Sequence, residues 1–251
     1  MRVMMTMVVA AALSGIASAR AADGPEALMR EVFEKPSPRT ETAILDIENV
    51  GPDGRRENRV MGLEKIGRTK RLFYFREPAD LRGMAVLGID QDGRRDRWLY
   101  VPAARATRRI AGTQQRDAFM DTQFSYEDVD DRRFDEYDYA AAGSATVDGV
   151  PVTLIDARPR DPGSGYGRVR FQIDPARNVV VGAELFDPSG AHIKTAVFRR
   201  FEEVGGYLLP GEFEMRSLRD GRTSFIRVRE RTVDEPLEES RFSPAFLPRI
   251  R

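Results

Sequence analysis

Hydrophobic and polar side chains alternate with a period of two along most of this chain. The clearest case is residues 168–173, where Val169, Phe171 and Ile173 fall on one side and Arg168, Arg170 and Gln172 on the other. Residues 212–217 repeat the pattern, with Phe213 and Met215 opposing Glu212, Glu214 and Arg216. Ile226 and Val228 likewise oppose Arg227 and Arg229. Period two is the signature of a strand that is dry on one face and wet on the other. Turn-forming clusters separate the runs: Gly51-Pro52-Asp53-Gly54, Gln91-Asp92-Gly93, Asp174 to Asn178, Asp187 to Gly190 and Asp220-Gly221. The pattern predicts strands over 40–49, 57–66, 71–77, 84–90, 97–101, 150–157, 168–173, 179–186, 193–201, 208–218 and 222–233. They follow one another as consecutive hairpins of an antiparallel meander.

Four stretches break the alternation. Near the start, Leu28, Met29, Val32 and Phe33 form a helical stripe, with Asp23 as its cap, Pro25 in its first turn and Pro36 and Pro38 beyond its end. Residues 112–138 carry Phe119, Phe124, Tyr126, Phe134 and Tyr137 among acidic residues and read as short helices and loops lying across a sheet. The acidic part, 127–138, is expected to be a solvated helix face. Gly163-Ser164-Gly165-Tyr166-Gly167 precedes a strand rather than a helix, so it is expected to be a flexible hairpin connection and not a phosphate cradle. The tail, 242–248, is apolar and expected to clamp onto the sheet. The dry face of such a meander needs a cover, and only the first helix and the middle segment supply one. The expected fold class is therefore α+β, mainly β: a single strongly curved antiparallel sheet covered by a few helices.

The first 21 residues change where this fold is expected to work. Arg2, an apolar core over 4–13 and the small residues Ala17-Ser18-Ala19 and Ala19-Arg20-Ala21 read as a cleavable secretory signal, cut near Ala19 or Ala21. The apolar core is too short for a membrane span, which needs about 20 residues. The expectation is a soluble periplasmic protein with one domain over residues 22–251 and no stable membrane insertion. There is no cysteine, so stability rests on the core and not on disulfides. Charged residues make up 32% of the chain yet sum to zero, which argues against a nucleic-acid partner.

Catalytic chemistry finds little support. The single histidine, His192, shares one turn with Asp187 and Ser189, too crowded for a nucleophile relay with an oxyanion hole. One imidazole and no thiol make a zinc site improbable. Asp128, Asp130 and Asp131 suggest a calcium loop until Arg132 and Arg133 interrupt the spacing. No catalytic residue, metal or cofactor is expected. What stands out instead is a set of large apolar side chains read as one sheet face: Phe73, Phe75, Met84, Leu87, Ile89, Trp98, Tyr100, Phe171, Phe213 and Met215, with Phe119 and Phe124 above them. Composition alone leaves two readings open, an ordinary filled core or a cavity for acyl chains.

Three segments carry a resemblance. Phe75-Arg76-Glu77-Pro78-Ala79-Asp80-Leu81-Arg82-Gly83 leads into a hydrophobic strand. Arg97-Trp98-Leu99-Tyr100-Val101-Pro102 is followed by Arg105, Arg108 and Arg109. Then comes Asp121-Thr122-Gln123-Phe124-Ser125-Tyr126-Glu127-Asp128-Val129. In this order and spacing they resemble the LolA-like branch of the outer membrane lipoprotein-sorting family. The resemblance implies an unclosed β-barrel with helices plugging its mouth and a hydrophobic cavity for lipid tails. The implied cargo is a lipid or an acylated lipoprotein carried across the periplasm, and some relatives look like partners of inner-membrane exporters of the RND type. In that frame the twelve apolar residues named above become cavity residues and 119–126 its lid. The competing reading is a non-enzymatic scaffold of an envelope export complex, docking through a sheet edge or through Arg105, Arg108, Arg109 and Arg116.

Overall fold

The computed structural model describes residues 24–250 apart from Asp92. The secretory signal, the helix cap Asp23 and the tip of the Gln91–Gly93 turn lie outside the described residues. One α-helix, α1 (Gly24–Phe33), precedes thirteen strands. These are β1 (Thr40–Val50), β2 (Arg56–Ile66), β3 (Lys70–Glu77), β4 (Ala85–Gln91), β5 (Arg94–Val101), β6 (Ala106–Ile110) and β7 (Tyr137–Val147). They continue with β8 (Val150–Pro159), β9 (Arg168–Asp174), β10 (Val179–Phe186), β11 (His192–Val204), β12 (Tyr207–Ser217) and β13 (Thr223–Val233). All thirteen join one antiparallel sheet in the order β6-β5-β4-β3-β2-β1-β13-β12-β11-β10-β9-β8-β7.

This order contains two meanders, β1 to β6 and β7 to β13, running away from each other and joined where β1 pairs with β13. Chain direction therefore sets a problem. The segment between β6 and β7 must travel from one end of the strand order to the other, and residues 111–136 do this as a strap across the inner face. Period-two alternation decides which residues the strap meets. Along β1, Ala43, Leu45 and Ile47 are buried and their neighbours are not. The same phase puts Met61, Phe73, Phe75, Val86, Phe171, Leu185, Met215 and Ile226 into one inner core. Phe119, Phe124 and Tyr126 of the strap and Met29 of α1 close over it.

The outer face is wet over β1, β11, β12 and β13, where Arg227 bridges Glu48 and Glu212 and Arg199 engages Glu214. Over β3 to β5 it is dry, because the tail folds back there. Phe242, Leu247 and Ile250 pack on Leu72, Ala85, Leu87 and Tyr100 in a second cluster, as an apolar clamp would.

Three expectations need correcting. The sheet is mainly covered by a strap rather than by a few helices: 112–116, 119–121 and 134–136 are single 3₁₀ turns, and α1 is the only α-helix among the described residues. Met120 and Asp121 have positive φ (50° and 58°), a conformation that cannot propagate a right-handed helix. The strands β6 and β7 were not expected. Four of five residues in β6 are exposed, and β7 holds the run Ala140-Ala141-Ala142-Gly143-Ser144-Ala145, which has neither alternation nor β-branched side chains. Pairing to β5 and β8 outweighs their weak local preference. Finally, the Gly163–Gly167 loop is pinned: Asp161 accepts from the Gly163 amide, Glu127 accepts from the Gly165 amide at 2.9 Å, and Tyr166 is buried.

Candidate functional site

Alternation also places charge on the inner face. Arg71 shares the phase of Phe73 and Phe75, and Arg97 shares that of Leu99. Register then aligns them, since Glu41 pairs with Lys65, Lys65 with Arg71, Arg71 with Gly88 and Gly88 with Arg97. The result is a row of charged side chains crossing five strands at one end of the core. Gly88 belongs to the row by being small, because a Cβ there would lie 3.1 Å from Arg71 Cγ.

Buried guanidinium groups require carboxylates, and the strap brings them. Asp130 accepts from Arg71 at 2.9 Å and from Arg97, all three side chains being only 5% exposed. Asp131 accepts from Arg71 and from Lys65, each at 3.2 Å. Burial pushes the Arg97 guanidinium down to about 10, and burial lowers Arg71 too. The acidic run is thus not a solvated helix face. Asp130 and Asp131 neutralise a buried basic row, while Asp135 and Asp138 of the same run stay exposed.

Two residues before Asp130, Asp128 forms a second node. Its carboxylate accepts from the Ser125 amide (2.8 Å) and hydroxyl (2.9 Å), from the Tyr166 hydroxyl (2.9 Å), from Lys194 Nζ (3.3 Å) and from Arg132 Nη2 (3.2 Å). Burial pushes this carboxyl up, but the Lys194 and Arg132 charges together with the Ser125 and Tyr166 hydrogen bonds outweigh it, so its pKa is lowered. Burial and the adjoining carboxylate push the Tyr166 hydroxyl well above its ordinary value.

Beneath the strap lies space that side chains do not fill. A cavity of about 370 Å³ has an apolar floor of Leu45, Leu63, Phe73, Leu185, Phe213, Met215, Ile226 and Val228, with Phe124 from the strap. Its charged side is the row and node just described. A second cavity of about 330 Å³ adjoins it, sharing Glu41, Lys65, Asp128, Asp130, Asp131, Arg132, Phe198 and Leu209, and extends past Phe171 to Phe33 and Arg68 beside α1. Both volumes fall in the ~300–1,000 Å³ range of ligand pockets.

A family model described as "-like: Uncharacterized protein" matches residues 67–249, well over half of the chain. The fold is close to three solved structures. A domain from Vibrio parahaemolyticus described as an outer membrane lipoprotein-sorting protein superposes with a TM-score of 0.85 at 23% identity, covering 91% of this chain and 99% of that one. A DUF1329 family protein from Desulfovibrio piger gives 0.82 at 22% identity, covering 88% and 97%. A LolA superfamily protein from Nitrosomonas europaea gives 0.71 at 20% identity, again covering 88% and 97%. The chain belongs to the matched family, and its fold is that of the LolA superfamily. No curated protein matches it in sequence.

The LolA-like sheet divides the twelve residues expected at one site. Phe73, Phe124, Phe213 and Met215 line the larger cavity, and Phe171 lines the adjoining one. Phe75 and Phe119 lie in the same inner core, Phe119 edge-on to Phe73 at 4.9 Å, and Met84 packs against it. Leu87, Ile89, Trp98 and Tyr100 do not join them. They belong to the outer cluster under the tail, because Leu87 pairs with Leu72 and Trp98 and so shares their face, opposite to Phe73. Of the arginines expected as a docking face, Arg109 pairs with Asp96 and Arg116 donates to the Gly163 carbonyl. Sequence reasoning missed Lys65, Arg71, Arg97, Asp128, Asp130 and Arg132. For Arg71 and Arg97 the signal was available: charge in phase with a dry face.

Proposed function

We propose that this LolA-like chain is a periplasmic carrier that shelters acyl chains of a lipid or lipoprotein in its inner cavity, with residues 22–251 acting as one domain after signal cleavage. One observation carries the reading: an unfilled cavity of about 370 Å³ with an apolar floor beneath the strap. Each methylene hidden from water contributes about 0.8 kcal/mol, so even a partly sheltered tail is held strongly. Release then needs a cover held by side chains rather than by the sheet ladder, and residues 119–131 are held by the packing of Phe119, Phe124 and Tyr126 and by the polar contacts of Asp128, Asp130 and Asp131. The reading takes the sheet as a strongly curved, unclosed barrel. In support, Arg95 of β5 donates to Glu136, next to β7, at 2.5 Å, although eleven steps of strand order separate β5 from β7. At about 4.8 Å per step, a flat sheet would hold them on the order of 50 Å apart.

A docking role is the second reading, favoured by β7. This eleven-residue strand ends the sheet with small, mostly exposed, uncharged side chains from Ala140 to Thr146, where edges are ordinarily guarded by charge or proline. Native mass spectrometry of the purified mature protein, with organic extraction of anything bound, separates the two. A co-purifying lipid near one per chain supports the carrier. A clean apo mass, with no uptake of a fluorescent fatty acid, leaves only docking.

A further inference from the structure

Two guanidinium groups on the polar side of the two cavities differ from the other charged groups in their partners. Asp130 is taken up by Arg71 and Arg97, Asp131 by Lys65 and Arg71, and Glu41 by Arg231. Asp128 is shared between Lys194 and Arg132, so one carboxylate answers two cations. The Arg132 side chain, only 17% exposed, thus shares its ion-pair carboxylate with Lys194, and Glu127 is a further carboxylate acting on it. Arg132 lines both cavities, and its buried Nε has no hydrogen-bond partner in the protein. Its guanidinium carbon lies 5.7 Å from the centre of the Phe171 ring. At the other side of the smaller cavity, Arg68 donates to the Phe33 and Lys35 carbonyls and to the Ser37 hydroxyl, all neutral acceptors. A guanidinium group with an unpaired buried donor, opposite a second that meets only neutral acceptors, makes a site for an oxyanion.

We propose that the smaller cavity, between Arg132 and Arg68, binds the anionic head group of the cargo, a carboxylate or phosphate carried on an acyl chain whose tail occupies the apolar cavity. This rests on the carrier reading and adds a selection rule to it: the cargo is an anionic amphiphile, and a neutral one of equal chain length is disfavoured.

The test compares dodecanoate, methyl dodecanoate and acetate at pH 8, using isothermal titration on the wild-type protein and on Arg132→Met, Arg68→Met and Arg132→Lys. The tails of the first two probes are identical, so their ratio isolates the head group without requiring any variant to fold. Wild type is expected to prefer dodecanoate over its ester by about tenfold or more, as for a charge-assisted hydrogen bond in a shielded site. Arg132→Met is expected to erase most of that preference, read as the acid-to-ester ratio within the variant, and Arg132→Lys to keep part of it. Equal affinity of acid and ester in wild type overturns the head-group site while leaving the carrier intact. So does a preference that survives in both Met variants. Acetate binding as tight as dodecanoate overturns the lipid assignment in favour of a free-anion site. If neither long-chain probe binds, the carrier reading itself fails.

Discussion

Asp128 concentrates the largest amount of polar chemistry in one side chain, and it holds the strap down. It joins Ser125 on the strap to Tyr166 in the β8–β9 loop and to Lys194 on β11. Removing its charge would leave Lys194 and Arg132 facing each other across a shielded space. Asp128→Asn is therefore expected to cost about 3 kcal/mol at pH 7, typical of breaking a buried pair from one side. The pH dependence has a definite sign. The carboxyl titrates lower in the folded chain than in the unfolded one, so its stabilisation is full above the unfolded value of about 3.9 and fades as pH falls through the folded value. Urea unfolding of both proteins at pH 7 and near pH 2.5 should show the gap closing in acid. A gap of the same size at both pH values would mean that the asparagine fails for steric reasons instead. Single residues were the least legible scale in the sequence. Phase alone identifies Phe171 or Met215 as inward-facing, and it could have identified Arg71. Nothing local says that Asp130 finds Arg97, because that pairing exists only once the strap has crossed the sheet.

Elements were more legible where alternation was strong and turns were polar. The eleven expected strands all form, with ends displaced by a few residues, and the tail packs down as its apolar content suggested. The strands β6 and β7 escaped notice because edge position and pairing create them, not side-chain pattern. The harder lesson concerns which face an element presents. Trp98 and Phe213 look alike in sequence as large aromatics on half-buried strands, yet Trp98 packs under the C-terminal tail and Phe213 borders empty space. Their alanine variants should separate accordingly. Trp98→Ala is expected to lose about 2 kcal/mol or more, roughly 2–4 °C in melting temperature per kcal/mol for a chain of this length, with uptake of a fluorescent fatty acid unchanged. Phe213→Ala is expected to weaken uptake about tenfold while moving the melting point by only a few degrees, since it already faces a void. Parallel losses in both variants, stability and uptake together, would mean that the inner face is an ordinary packed core.

At the scale of the whole molecule, the unusual feature is that covalent order and spatial order disagree at the ends of the sheet. Nearest chain neighbours across the strap, β6 and β7, sit at opposite ends of the strand order, so contact between the two ends rests on side chains rather than on a ladder. Arg95 is the principal tie: it engages Glu136 and Asp90 and donates to the Asp131 carbonyl, linking β5 to the strap and to the start of β7. Burial pulls the Arg95 pKa down, but Glu136 and Asp90 raise it by more, so the tie stays charged at any physiological pH. On the proposed carrier reading a tie of this kind is useful, because side-chain contacts can part without unzipping a strand. Arg95→Met should therefore leave the ladder between β1 and β13 as protected as before and raise amide exchange in β7 and in residues 130–136. Hydrogen exchange read by mass spectrometry resolves these segments. Exchange that accelerates evenly over all thirteen strands would show that the ends are held by the global fold and that Arg95 closes nothing in particular.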